Sequence, residues 1–342
     1  MEKQILNLFK DKKILVTGGT GSIGNQIALK LLDCNPKVVR ILSNDENETF
    51  KLSQKIERQD NVRFLIGDIR DKERLVLAME DIDIVFHAAA LKHVTLCEYN
   101  PFEAIKTNVI GNQNIIESAL INNVNKVINI STDKAVNPIN TMGATKLLAE
   151  KLMIDANEGK GIKQTIFSCV RFGNVLNSRG SVIPIIKQQI KNKKTLTITD
   201  PDMTRFIMSI QSTIDLVFKA TLLSKGGEIF ILKMPVIKLG DLVDVLIETF
   251  SKKYGNNNKD IKKKIIGPRA GEKIFEELMT ESEAEMAYET DDMLIIPPQI
   301  ELPNIKYDVS EYKNAWKSKM YRYISREIKP LSKTEIKKIL FS

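Results

Sequence analysis

Histidine and cysteine are scarce, two and three copies in 342 residues, with no spacing suited to metal ligation, so no metal site is expected. Cys34, Cys97 and Cys169 are odd in number and far apart. That excludes a CxxC pair and a secreted disulfide framework, and a reduced, cytoplasmic setting is expected. Long apolar runs are also absent: no uncharged stretch reaches the ~18 residues of a bilayer span, and the opening MEKQILNLFKDKK lacks the apolar centre of a secretory signal. Neither a membrane span nor export is expected. Aromatics make up only 6%, with one Trp, and the lysine-rich stretches at 187–194 and 252–264 are not interleaved with them. Those stretches read as solvated faces, and no nucleic-acid partner is expected.

What is present is ordinary for a globular protein: 43% hydrophobic and 27% charged residues exclude disordered and collagen-like classes. Lys and Arg number 51 against 43 Asp and Glu, a net +8 that favours anionic partners. From Lys13, short apolar runs (KILVTG, VVRIL, VRFLIG, DIVFHAAA, KVINIS, TIFSCVRF) alternate with helical patterns at 21–33, 48–58, 71–79, 102–121 and 142–157. Runs apolar on both faces belong in a parallel sheet between helix layers, joined by right-handed crossovers. The fold expected is α/β: a Rossmann-type doubly wound parallel sheet over 1–175, with some later segments returning to it. A smaller α/β substrate-binding part and tail are expected over 176–342, with helices at 182–192 and 239–250, strand-like TLTIT and GEIFIL, and a final 55 or so residues of irregular but ordered chain.

Directly after the first run stands Thr17-Gly18-Gly19-Thr20-Gly21-Ser22-Ile23-Gly24, opening a helix. Glycines in that place allow a tight turn and let backbone approach a pyrophosphate, whose charge sits against free N–H groups at the helix start. Strand before and helix after are the context that makes such a loop a dinucleotide site. Gly18, Thr20, Gly21, Ser22 and Ile23 are therefore candidate cofactor residues. At the end of the second run, Asp45 suits a ribose 2′-hydroxyl, whereas Ser43 and Asn44, supported by Arg40 and Lys51, suit a 2′-phosphate. The balance favours NADP, with NAD the alternative. Asp68, followed by Ile69, either meets the adenine amino group or caps the next helix.

With TGGTGSIG, HAAALKHV, TNVIGNQN, STDKAVNP and MGATK in this order, the chain resembles the extended short-chain dehydrogenase/reductases, specifically the nucleotide-sugar 4,6-dehydratases acting on UDP-N-acetylglucosamine. RFGNVLNSRGSVIP, DPDMTRF and GPRAGEKIFEEL carry the likeness to about Met279. The resemblance implies C4 oxidation, elimination of water across C5 and C6, and hydride return to C6, with a tightly bound, recycled cofactor. It implies Asp133 as acid, Lys134 as base and Thr132 as hydrogen-bond partner of the C4 oxygen. Those roles need adjacent groups of different proton affinity. Ala88, Ala89, Ala90, Lys92 and Asn108 join the implied cofactor set, Lys92 also touching the sugar, while Asn108 orients backbone or water or is a polar residue of a helix interior. His93 is expected to be a structural hydrogen bonder.

One position departs from the pattern. Where the family usually has Tyr-x-x-x-Lys, four residues apart on one helix face, the chain has Met142 and Lys146. Lys146 suits the nicotinamide ribose, but a thioether accepts no proton. The C4 hydroxyl then needs Lys134, a water or ionised Asp133, and an epimerase or a non-catalytic dinucleotide sensor is the alternative reading. For the UDP-sugar the resemblance implies Asn174 on the diphosphate or sugar, Arg205 and Arg269 flanking the phosphates, Glu272 on the ribose or uracil, and Arg179 as a further contact. Surplus apolar residues on 102–121 and 142–157, among them Ile105, Val109 and Leu148, predict a homodimer or larger homo-oligomer.

Overall fold

The computed structural model describes residues 2–56, 60–192, 195–257, 261–298, 312 and 314–341. Parts of both lysine-rich stretches and of the tail thus lie outside the described residues. Seven strands lie parallel in the order β3 (Val62–Ile66), β2 (Val38–Ser43), β1 (Lys13–Thr17), β4 (Ile84–His87), β5 (Lys126–Ile130), β6 (Ile166–Arg171) and β10 (Ile229–Leu232). The four residues of β4 and the last five of β6 are all buried, as runs apolar on both faces require. One helix layer holds Lys72–Met79, Gly111–Ile121 and Thr141–Asp155; the other holds Glu2–Phe9, Ser22–Leu32 and Ile210–Leu223. This is the doubly wound sheet that the rhythm of the sequence predicts.

Two expectations need correction. The described part of the tail is not irregular: β14 (Tyr288–Glu289), β15 (Met293–Ile296) and β16 (Trp316–Lys317) extend the main sheet antiparallel beyond β10. Strands of two residues are too short to show a period in the sequence. The helical pattern at 102–121 is in fact Pro101–Ile105 and Gly111–Ile121, joined by a π-helical turn at Lys106–Ile110. Asn108 sits in that turn, and such bulges recur at functional sites.

A second apolar core forms beside the main one. Helices Val182–Lys191 and Leu239–Lys253 pack together, flanked by β7 (Asn174–Val175), β8 (Leu196–Ile198), β9 (Thr204–Met208), β11 (Val236–Lys238) and β12 (Lys263–Ile265). The closing helix Lys333–Phe341 sends fully buried Ile336 into it.

Beneath the loops that follow β5 and β6, Arg171, which is 1% exposed, ties β6 to the helix Thr141–Asp155 and to the later segment around Glu283. Its guanidinium donates to Glu150 Oε1 at 3.1 Å and Oε2 at 2.7 Å, to Glu283 at 3.1 and 3.0 Å, and to the Leu278 carbonyl at 2.8 Å. Burial disfavours the Glu283 charge, but Arg171 outweighs it and holds the carboxyl below its ordinary value. A carboxylate so held adds stability above its unfolded pKa, and that stability is lost as pH falls through the folded value. Arg171→Ala strands two buried carboxylates, and urea unfolding at neutral pH is expected to show a loss of about 3–5 kcal/mol.

Candidate functional site

The chain leaves β1, fills the β2–β3 side, and returns through β4 on the opposite side of β1. Loops from the adjacent strand ends part there, which is where open α/β sheets take ligands. Gly18 is at φ +61°, and a Cβ on it would stand 2.7 Å from the Ala89 backbone. A Cβ on Gly24 would collide with the Gly18 carbonyl oxygen. Only glycine lets these segments meet. Helix Ser22–Leu32 starts at Gly21 with no side-chain cap and no acidic residue in its first turn. Its first N–H groups and positive end remain available to an anion, so the residues fit a dinucleotide's pyrophosphate. Ile23 lies half-buried at that start, and partly buried Ala88 and Ala89 with exposed Ala90 line the far side.

Around the adenosine end, the candidates are engaged with one another. Buried Ser43 bonds Thr20 Oγ1 at 2.7 Å and accepts from Asp45 N at 3.1 Å. Asp45 caps helix Glu46–Lys55 by accepting from Glu48 N. Asn44 donates to Asp68 at 3.3 Å, and Asp68 also accepts from Arg70, whose side chain holds that carboxyl below its usual range. Asp68 does not cap the next helix; Asp71 does, and Ile69 is buried against Gly111. Arg40 is no support for a 2′-phosphate, because its guanidinium donates to the Ala78 and Glu80 carbonyls at 2.8 and 2.7 Å. Lys51 is paired with Glu48.

Beyond β5 the chain turns through Thr132, Asp133 and Lys134. Asp133 is fully buried, and its Oδ1 accepts from Thr132 Oγ1 at 2.8 Å and from Lys134 Nζ at 2.9 Å. The second neighbour of Lys134, Glu276 at 3.1 Å, was not legible as a site residue in the sequence. Burial works against the Lys134 charge, but Asp133 and Glu276 together outweigh it and raise its pKa above the ordinary lysine value. Lys134 therefore rests as an ammonium ion. Glu276 is pushed up, first by burial and then by Asp133. Asp133 Oδ2 and Glu276 Oε2 are both buried with no hydrogen-bond partner among the described residues.

Helix Thr141–Asp155 brings Lys146 beside this loop, where its buried Nζ donates to the Ile130 carbonyl at 2.6 Å and burial lowers its pKa. Met142 is 3% exposed and packs in an apolar cluster with Cys97, Ala104 and Val94. Asn108 clamps the site from below: its amide accepts from Leu91 N at 2.8 Å and donates to Leu91 O and Thr145 Oγ1 at 3.0 Å. Buried His87 bonds Thr17 at 2.8 Å, and its pKa is pushed down to about 3 by burial and by Lys146. His93 makes no cap hydrogen bond; its ring packs against Gly180.

The expected substrate contacts divide. Lys92 Nζ donates to the Arg179 carbonyl at 2.7 Å, while Arg179 pairs with Glu48 at 2.7 Å and bonds the Thr20 carbonyl. Arg179 thus lies across the cofactor loop. Arg205 is not presented to solvent as a phosphate fork: its guanidinium donates to the Thr204, Ile274 and Lys273 carbonyls and lies 3.6 Å from Glu272 and 3.7 Å from Glu276. Asn174 is half-buried on β7, Arg269 is exposed, and Glu272 Oε2 accepts from the Arg269 amide at 3.2 Å.

Residues 14–298 match the model of a family described as polysaccharide biosynthesis protein. The chain belongs to that family. A UDP-N-acetylglucosamine 4,6-dehydratase (inverting) of Campylobacter jejuni is 45% identical over 305 residues, 89% of this chain and 88% of the relative. A UDP-glucose 4-epimerase of Rickettsia bellii is 40% identical, covering 98% of this chain and 97% of the relative. The X-ray structure of Pen from Bacillus thuringiensis superposes with a TM-score of 0.90 at 46% identity and 97% coverage of both chains. This polysaccharide biosynthesis protein is an enzyme of the nucleotide-sugar dehydratase and epimerase group, of short-chain dehydrogenase/reductase type. No helix among its described residues is long and apolar enough to cross a membrane.

The cradle in this family member is testable without a substrate. Gly24→Ala forces the Gly18 carbonyl to move, an overpacking cost of about 1–3 kcal/mol, and calorimetry is expected to show dinucleotide affinity falling about tenfold or more. Gly159→Ala, where a Cβ meets nothing within 4 Å, serves as the control that leaves affinity unchanged.

Proposed function

We propose that the protein is a UDP-N-acetylglucosamine 4,6-dehydratase that forms a UDP-4-keto-6-deoxy sugar. The observation that carries this reading is the ion pair of buried Asp133 with partly buried Lys134 beside the dinucleotide cradle, with Met142 packed in an apolar cluster. A reaction that only moves hydride at C4 needs one proton acceptor, whereas elimination across C5 and C6 needs two proton-moving groups side by side. Thr132, hydrogen-bonded to Asp133, suits the C4 oxygen, and Lys146 suits the nicotinamide ribose. A bound nicotinamide dinucleotide supplies the hydride acceptor at C4 and the donor at C6. Ser43 and Asn44 at the end of β2 suit NADP; NAD, with Asp45 on its ribose, is the alternative. Asn174, Arg269 and Glu272 suit the UDP portion.

A 4-epimerase is the second reading, and the full-length likeness to the Rickettsia epimerase favours it. Incubation with UDP-N-acetylglucosamine in deuterated water separates the two. The dehydratase is expected to give a product one water lighter before exchange, with solvent deuterium at C5 and coupling constants that report the C5 configuration. An isomer of unchanged composition would show the epimerase instead.

Self-association through the site-bearing helices belongs to the same reading. Leu96, Tyr99 and Phe102 are well exposed, Tyr99 at 86%, on helices that pack against Thr141–Asp155, where Leu148 is also exposed. Apolar groups clustered in this way mark an interface. Light scattering is expected to give at least a dimer at micromolar concentration, and Tyr99→Glu with Phe102→Glu to shift it toward monomer.

A further inference from the structure

The turn between β7 and helix Val182–Lys191 leaves from elements that flank the second core, yet its polar ties run to the dinucleotide side. Ser181 N donates to the Ser178 carbonyl at 3.1 Å, closing a four-residue turn with Arg179 and Gly180 at its centre, and Gly180 is at φ +73°. A glycine thus stands where the second central residue of a type II turn needs a positive φ. On one flank, the Arg179 amide donates to Ser22 Oγ at 3.0 Å, and the guanidinium donates to the Thr20 carbonyl and, at 2.7 Å, to Glu48 Oε2 on helix Glu46–Lys55. On the other flank, Lys92 Nζ, in the loop after β4, donates to the Arg179 carbonyl at 2.7 Å. Gly180 lies so close to His93 there that a Cβ on it would stand 2.4 Å from Cε1. One turn therefore spans the crevice between the β1 and β4 loops.

We propose that the turn at 178–181 is a strap that closes over the bound dinucleotide, with Arg179 as its clasp, so that cofactor enters and leaves only when the Arg179 ties break. This goes beyond the choice between dehydratase and epimerase. Either reaction takes a hydride from the sugar and gives it back, so a cofactor retained through many cycles serves both. The strap rests only on the cradle's taking a dinucleotide.

Toward the cradle Arg179 offers donors only, and it meets a hydroxyl, a carbonyl and a carboxylate. The N–H groups that start helix Ser22–Leu32 are themselves donors, so strap and pyrophosphate do not compete for the same partners. The clasp is also superficial: Asn177, Arg179 and Gly180 are exposed, the Arg179 side chain at 53%. An ion pair of that exposure holds weakly. Both roots of the turn are firm by contrast, since Leu176 N donates to the Met208 carbonyl at 2.9 Å and Ile183 is fully enclosed in the second core. A lightly clasped turn between firm roots opens without unfolding either half.

The deciding variant is Glu48→Gln, which weakens the clasp from a residue outside the cradle. By charge alone, removing an acidic group beside a phosphate-bearing ligand slows its release. A strap gives the opposite sign: release and entry both quicken, because one opening serves both. Rates are read from the fluorescence of NADPH, with NADH as a second probe. Association is followed on mixing with cofactor-free protein, and dissociation on chasing the loaded protein with excess oxidised dinucleotide. Glu48→Gln is expected to release NADPH about fivefold faster than wild type, the scale of a good exposed ion pair, with entry quickened alike and Kd within about twofold. Gly180→Ala pushes the turn off His93 and is expected to speed both rates about tenfold. In Arg179→Ala entry is also expected to quicken, although loss of a cation alone would slow it.

Release that is unchanged or slower in Glu48→Gln overturns the proposal. Release that rises while entry does not overturns it as well, because Arg179 is then an ordinary ligand contact. A wild type that takes up neither NADPH nor NADH removes the strap together with the dinucleotide cradle. None of these rates depends on which sugar product forms, so the strap and the choice of reaction fail separately.

Discussion

One buried guanidinium joins the segments on which the site is assembled. Arg171, at the end of β6, binds Glu150 on the helix that carries Lys146 and reaches Glu283 and the Leu278 carbonyl just past Glu276. Glu150 in turn accepts from Ser131, the residue before Thr132. Charges this deep are tolerated only when both partners are satisfied. The requirement for mutual satisfaction therefore fixes the reactive loop, the Lys146 helix and the late segment relative to one another.

Chemistry above that network depends on uneven environments for neighbouring groups. Lys134, partly buried, is kept cationic between two carboxylates, while Lys146, more deeply buried and bonded to a carbonyl, is driven toward its neutral form. Two neighbouring lysines, one in the loop after β5 and one on the helix beside it, thus differ in charge preference because one faces acids and the other chiefly faces backbone. Asn108, from a π-helical turn, holds the loop after β4 against the Lys146 helix and keeps the cofactor and reactive sides in register.

Much of the fold was legible because its cause is local and repeated. Apolar runs such as KVINIS and helical patterns between them report burial on both faces, and TGGTGSIG reports a backbone approach that no side chain permits. Helix Ile210–Leu223 went unread although fully buried Val217 and Ala220 lie on it, because it follows the point where the strand and helix rhythm breaks. The small strands β14 and β16 are legible only through their pairing, β14 on β15 and β16 on β14.

By itself the sequence determined the doubly wound sheet, the glycine cradle and the presence of an acid beside an amine after the fifth strand, since each is written in contiguous residues with a local physical meaning. Tertiary structure alone decided what those residues face. Arg40 and Arg205 look like phosphate ligands as letters but are spent on carbonyls, and Asp68 is held by Arg70 and Asn44. Glu276 becomes part of the reactive cluster only because β9 and the segment around Ser325 carry it to Lys134. Electrostatic environment is set by distance in space, and residues far apart along a chain acquire it only when packing brings them together.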